Sequence, residues 1–146
     1  MAQFNPAHIP ALSLLNHTEW ELLCDQCGIC CLYKVRLAPD THTFLTRVAC
    51  RYLDLQSCTC TVYHQRHELM PTCIALTPSN ISQLSWLPET CAYRRIAEGK
   101  PLPWWHQLCS GKHDLVHTLG ISARGIAINE KYADLNDLPR YMIQPW

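Results

Sequence analysis

Four cysteines fall within eight residues at Cys24, Cys27, Cys30 and Cys31, a density that hydrophobic packing alone does not demand. Thiolates are soft, anionic donors, and two of them separated by two residues grip one ion because the chain between them forms a tight turn. Cys24 with Cys27 has that spacing, and so has Cys27 with Cys30. A lone pair would be a weak signal, but Cys50, Cys58, Cys60, Cys73 and Cys91 follow and supply the remote ligands that one or more sites would need. Two local geometries are open. A regular helix, turning roughly 100° per residue, puts Cys24, Cys27 and Cys31 within about 60° of one another and points Cys30 away. A loop at Gly28, the residue with the freest backbone, brings Cys24, Cys27 and Cys30 together instead.

The adjacent Cys30 and Cys31 cannot easily bind the same tetrahedral ion without strain, so they serve two centres or one of them is a spare, reactive thiol. The cysteines suffice for two four-thiolate sites. A zinc ribbon wants two separated Cys-x-x-Cys knuckles, whereas these overlap and the distal cysteines stand singly or as Cys58-x-Cys60. A bacterial ferredoxin wants Cys-Pro after three further residues, whereas the fourth cysteine here is immediate and Leu32 follows it. Three near ligands and one remote cysteine would still hold an iron–sulfur cluster.

Whether ten cysteines are thiols depends on the compartment. The N-terminus has no basic start, and its apolar stretch Ile9–Leu15 is broken by Pro10 and Ser13, too short for a signal peptide or membrane span. A cytoplasmic protein with metal-binding thiols is therefore expected over a disulfide scaffold. Twelve basic and twelve acidic side chains cancel and lie scattered, which disfavours nucleic acid as a partner. A length of 146 residues at 48% hydrophobic composition suits one globular core.

Along the chain, residues 1–17 with Pro6 and Pro10 read as an N-terminal arm, and residues 18–146 as one cysteine-cluster domain. Thr18 and Glu21 have capping-box spacing, predicting a helix from about Glu19 that buries Trp20 and Leu23. Thr43 to Leu55 reads as a strand and a helical turn containing Cys50. Thr77-Pro78 predicts a short helix to about Leu84, and the Cys91–Ala97 spacing predicts another that Gly99 and Pro101 stop. Ile126–Ile128 is a candidate strand. The expected fold is a small, loop-rich α+β domain with short helices and a minor sheet around the cysteines.

The order of these features is specific. Leu23-Cys24-Asp25-Gln26-Cys27-Gly28-Ile29-Cys30-Cys31-Leu32, Val48-Ala49-Cys50-Arg51, Cys58-Thr59-Cys60 with Tyr63 and Arg66, Cys73 with Ile74 and Leu76, Trp86-Leu87-Pro88, Thr90-Cys91-Ala92-Tyr93-Arg94 and Ala97-Glu98-Gly99-Lys100 follow one another. Together with Leu102-Pro103, Trp105-His106 and, more loosely, Ile121-Ser122-Ala123-Arg124, this resembles the YcgN branch of the bacterial YkgJ-type cysteine-cluster family. The resemblance implies zinc or iron chelation at Cys24, Cys27, Cys30, Cys31, Cys50, Cys58, Cys60, Cys73 and Cys91, and it implies no reaction. Similar segments in flagellin lysine methylases are associated with iron–sulfur chemistry. Cys109 has no counterpart in the pattern.

Lys34, Arg36, Arg51 and Arg66 are candidate cations to balance thiolate charge, with solvated surface charges as the alternative. Tyr63 and Arg66 share one face with Cys60 if that stretch is helical. His64/His67 and His113/His117 fit solvated pairs better than ligands, and His106 fits a hydrogen-bonded structural histidine better than a ligand. Trp86, Trp104 and Trp105 read as packing anchors. There is no nucleophile elbow, phosphate loop, His-Glu-x-x-His or dinucleotide fingerprint, so catalysis without a metal has no support. Three functions remain: a module organised by zinc, iron or an iron–sulfur centre; an iron–sulfur enzyme or electron carrier; and a thiol redox sensor at Cys30-Cys31.

Overall fold

A computed structural model describes residues 14–37 and 42–143. Most of the assumed N-terminal arm, including Pro6 and Pro10, lies outside the described residues. Helix α1 runs His17–Leu22, one turn and a half capped by Asn16 rather than Thr18. Asn16 Oδ1 accepts the backbone N–H of Glu19 at 2.8 Å, and Glu19 Oε1 accepts that of Asn16 at 3.0 Å. The capping box therefore sits two residues upstream of the predicted one, because Asn caps at least as well as Thr. Glu21 is left free to accept the hydroxyl of Tyr63.

Strands β1 (Leu32–Arg36) and β2 (Thr43–Ala49) pair antiparallel, with an irregularity between Leu32 and Lys34, and β3 (Ile128–Asn129) joins β2 in parallel. Leu32, Leu45, Val48 and Ala49 are buried, the branched and aliphatic residues that suit a half-buried pleat. Thr46 is buried too, its hydroxyl donating to the Tyr33 carbonyl at 2.8 Å, so the polar group is satisfied inside the sheet. The strand predicted from Thr43 is present, but a turn with a bridge from Leu53 to Cys60 replaces the predicted helical turn, and Cys50 follows the strand directly.

The other helices are short: α2 (Arg66–Leu69), α3 (Ala92–Ala97), α4 (Gln107–Ser110) and α5 (Leu115–Thr118). The predicted helix from Thr77 shrinks to a 3-10 turn at Ile81–Gln83, because Thr77 and Asn80 bond each other's backbone in a tight turn first. The α3 prediction holds, with Cys91 at its N-cap and Gly99 at positive φ beyond its end. The candidate strand at Ile126–Ile128 narrows to β3.

A single cluster gathers Trp20, Leu23, Ile29, Leu32, Leu45, Leu53, Ile81, Trp86, Leu87, Ala92, Tyr93, Leu102 and Ala123. The Trp20 and Tyr93 rings lie 4.3 Å apart, and the Tyr93 hydroxyl donates to the Trp20 carbonyl at 2.9 Å. Such a pair adds about 0.5–1.5 kcal/mol beyond the area it buries, and here it ties α3 to the end of α1. Trp105 is buried as expected, but Trp104 is 69% exposed and anchors nothing. Consecutive residues of the turn at Trp104–Trp105 face opposite ways, so only one of them reaches the core. The architecture is the small α+β fold expected from the sequence.

Candidate metal centre

The run leaves α1 as a loop, not a helix. Gln26 and Gly28 both take positive φ, at 62° and 77°, and Ile29–Cys31 close a 3-10 turn into β1. Gly28 is required twice over. A Cβ built there would stand 3.0 Å from Cys58 Cβ and 3.4 Å from Ala123 Cβ, and its φ lies in the region that other residues enter at a cost of about 1–2 kcal/mol. Asp25 Oδ1 accepts the Cys27 N–H at 3.1 Å, and the Cys24 sulfur accepts that of Gln26 at 3.4 Å. The loop is clamped from outside by Gln107 Nε2, which donates to the Cys24 carbonyl at 2.7 Å, and by the Ala123 N–H, which donates to the Cys27 carbonyl at 2.7 Å.

All ten cysteines are free thiols. Cys24, Cys30, Cys31, Cys50, Cys58, Cys60 and Cys73 line one cavity of about 680 Å³, which explains why Cys24 and Cys30 have accessible surface although protein surrounds them. Cys27 and Cys91 do not line it. Among the described residues, no three Cys, His, Asp or Glu side chains come close enough to enclose one ion. The sulfurs surround a volume instead of converging on a point.

Charge links the thiols, with Cys30 acting on Cys24, Cys27 and Cys91 and also on Cys31 and Cys73. Burial pushes the Cys24 and Cys27 thiols up, and Cys91 up to about 12, with further upward push from Cys30 and the Asp25 carboxyl on all three. Cys50 is raised by burial, then by Glu130 and Cys60, and Cys73 by burial, then by Cys30 and Cys60 with Arg66 opposing. The Cys31 thiol donates to Cys30, which holds Cys30 down and Cys31 up, and Cys60 adds to the rise at Cys31. Lys34 lies beside Cys30 and the thiols at the sheet end. Its ammonium donates to the Cys30 and Leu32 carbonyls, each at 2.7 Å, lies 4.2 Å over the Trp86 ring and is attracted by Cys30, Cys31, Cys73 and Cys50. Crowded thiols that are raised by burial and by one another need cations to ionise together, and this donor set fits a thiophilic metal or cluster.

The other candidates fall apart by position. Arg66 and Tyr63 reach the cavity, Arg66 stacking on the Tyr63 ring with its Cζ 3.9 Å from the ring centroid. Arg51 pairs with the buried Glu130 at 2.8 Å and Arg36 reaches Thr43, and neither lines the cavity. His106 is fully buried with both nitrogens engaged, Nδ1 accepting the Leu108 N–H and Nε2 donating to the Leu23 carbonyl, a structural histidine as expected. His64 and His67 are exposed, and His117 bonds Ser122. Cys109 is exposed on α4, away from the cavity. Asp25 escaped the sequence reading. It is 7% exposed with Oδ2 unpartnered beside the thiols, and its only sequence signal is its place inside the Cys-x-x-Cys turn.

Residues 23–92 match a family model described as a "putative zinc- or iron-chelating domain". A UPF0260 protein of Rhizobium johnstonii is 46% identical over 132 residues, covering 90% of this chain and 84% of its own length. The chain belongs to the UPF0260 family. Other members include one from Granulibacter bethesdensis, 51% identical over 122 residues with 84% and 74% covered, and one from Pseudomonas aeruginosa, 46% identical over 132 residues with 90% and 89% covered. No solved structure matches. The matched segment spans the sequence-predicted thiols from Cys24 to Cys91 and leaves out Cys109. Among the described residues, no helix is long and apolar enough to cross a membrane.

Proposed function

We propose that this UPF0260 protein, of the YcgN type, is an iron–sulfur protein of the bacterial cytoplasm and not a single-zinc module. One observation carries the reading: seven cysteines line a cavity of about 680 Å³ and no three side chains converge on a single ion position. A lone zinc in a thiolate cage lies about 2.3 Å from each sulfur, which brings the sulfurs within roughly 4 Å of one another. A cluster is a larger body, and its cysteines stand apart around it. When bound, it supplies one-electron transfer.

The chain's own groups suit such a body. Cys24, Cys27 and Cys30 come from one loop, and Cys50, Cys60, Cys73 and Cys91 come from four other segments, so binding would tie together elements too short to be stable alone. Lys34 and Arg66 offset negative charge at one side of the cavity, and Tyr63 and Tyr93 close its wall. A reducing compartment keeps ten thiols available, which supports the cytoplasm. The test is anaerobic purification with a visible spectrum and a count of iron, sulfide and zinc per chain. Brown protein with matched iron and sulfide is expected, whereas colourless protein with stoichiometric zinc overturns the reading.

A further inference from the structure

We propose that the chain holds two four-thiolate centres, one on Cys24, Cys27, Cys30 and Cys91 and the other on Cys31, Cys50, Cys60 and Cys73, with the adjacent Cys30 and Cys31 divided between them. The proposal rests on the thiolate-metal reading above and is tested separately from it.

Backbone geometry draws the division. Cys30 and Cys31 are adjacent in a 3-10 turn with their thiols in contact, and neighbouring side chains do not bind one tetrahedral ion without strain, so they sit where two centres would meet. Cys31 enters β1. Its carbonyl accepts the Cys50 N–H at 2.9 Å, and the next residue, Leu32, pairs with Ala49, so Cys31 and Cys50 stand side by side at the end of the sheet. The Cys50 carbonyl accepts the Leu53 N–H at 2.9 Å, and Leu53 bridges Cys60, which returns Cys60 to the same place. Cys73 lines the same cavity as these three. The other set is built by different parts. The loop carries Cys24, Cys27 and Cys30, while the Trp20–Tyr93 contact brings Cys91, two residues before Tyr93, to the end of α1. Cys24 and Cys30 line the cavity and Cys27 and Cys91 do not, so the two sets meet along it at Cys30 and Cys31.

Cys58 belongs to neither. It takes a φ of 58°, its Cβ seals against Gly28, and its thiol bonds Ser122, which assigns it to holding the loop closed. Removing it from the nine thiols predicted from the sequence leaves eight, four for each set. In two-cluster ferredoxins the fourth cysteine of the compact run likewise serves the other cluster.

The test uses the full chain, reconstituted anaerobically with ferrous iron and sulfide. If both centres are four-iron clusters, about eight irons per chain are expected. Cys30→Ser and Cys31→Ser should each halve the count, with different residual spectra. Cys91→Ser should reproduce the Cys30→Ser spectrum, Cys73→Ser should reproduce that of Cys31→Ser, and Cys58→Ser and Cys109→Ser should keep both centres. Should a variant fail to fold, partly reduced wild-type protein still reports through paramagnetic resonance, where two nearby centres broaden or split each other's signals. One centre per wild-type chain, or loss of the same centre in Cys91→Ser and Cys73→Ser, overturns the division. Two zincs that are halved in the same pattern would sink the cluster reading and keep the division, whereas a single cluster would do the reverse.

Discussion

The two thiol sets use the same donors in opposite surroundings. The loop set, Cys24, Cys27, Cys30 and Cys91, surrounds the buried Asp25 carboxyl and has its backbone clamped by side chains from the distant Gln107 and His106. The sheet set, Cys31, Cys50, Cys60 and Cys73, hangs on backbone hydrogen bonds at the sheet end, faces the cavity and has Lys34 and Arg66 beside it. Neighbouring charge and solvent access both tune a metal–thiolate centre. The difference gives the loop centre an acidic neighbour and two cysteines off the cavity, and the sheet centre cationic neighbours and all four cysteines on it.

Stripping the metal is the harshest way to break that comparison. The described α-helices span four to six residues, far below the length at which a helix is stable in water, so much of the folding free energy falls to the bound centres. For structural thiolate sites that contribution is about 10 kcal/mol or more. Denaturant unfolding before and after anaerobic chelation should therefore show a loss of that order or outright unfolding. Timed exposure to oxygen should remove iron in two phases, the sheet centre first because all its cysteines line the cavity. A single phase would erase the distinction.

A smaller perturbation strikes the loop set alone. Gly28→Ala forces a side chain into positive φ and against Cys58, for an expected cost of about 2–3 kcal/mol. Gly99→Ala has a similar φ and no neighbour within 4 Å, so it should cost only the conformational part, about 1 kcal/mol. Urea midpoints measure both, and iron counts on Gly28→Ala should fall at the loop centre while the sheet centre survives. Equal costs would mean that Gly28 does not hold the loop against Cys58.

His106 tests the clamp on the same loop. Its Nε2–H donates to the Leu23 carbonyl at 2.9 Å, and burial holds its pKa below the ordinary value, with the Asp25 carboxyl opposing that shift and His113 adding to it. The folded protein thus binds fewer protons on this ring than the unfolded chain does. The stability it contributes is intact above about pH 6.5 and is lost as pH falls below it. His106→Gln should cost about 1–2 kcal/mol at pH 7.5 through the buried hydrogen bonds and should flatten the decline between pH 7 and 5. An unchanged slope would place the acid sensitivity elsewhere.

Much of this was legible in the residues. Gly28 offered a looped run as one of two open geometries, the branched stretch after Thr43 predicted a strand, and Cys91 followed by Gly99 framed α3. What local pattern could not carry was competition between neighbours. Asn16 and Thr18 are both competent caps, and only the path of the chain selects Asn16. Trp104 and Trp105 are equivalent in composition, yet a turn sends one inside and the other out. The sequence nominated nine thiols without dividing them, because the division follows from long-range contacts, the Cys31–Cys50 pairing and the Trp20–Tyr93 stack, that no spacing encodes.

The gentlest probe removes one charge from the sheet set. Lys34 is held by the Cys30 and Leu32 carbonyls and lies over Trp86, so its long stem packs while its ammonium stays among the thiols. Lys34→Met keeps the stem and deletes the cation. A reduced centre carries one more negative charge than an oxidised one, and a nearby cation favours it, so Lys34→Met should move the sheet centre's midpoint potential downward. The loop centre, where the Asp25 carboxyl opposes Lys34 at Cys30, should move less. Redox titration followed by paramagnetic resonance reads the two centres separately. A larger shift at the loop centre would reverse the assignment of counter-charge on which the comparison stands.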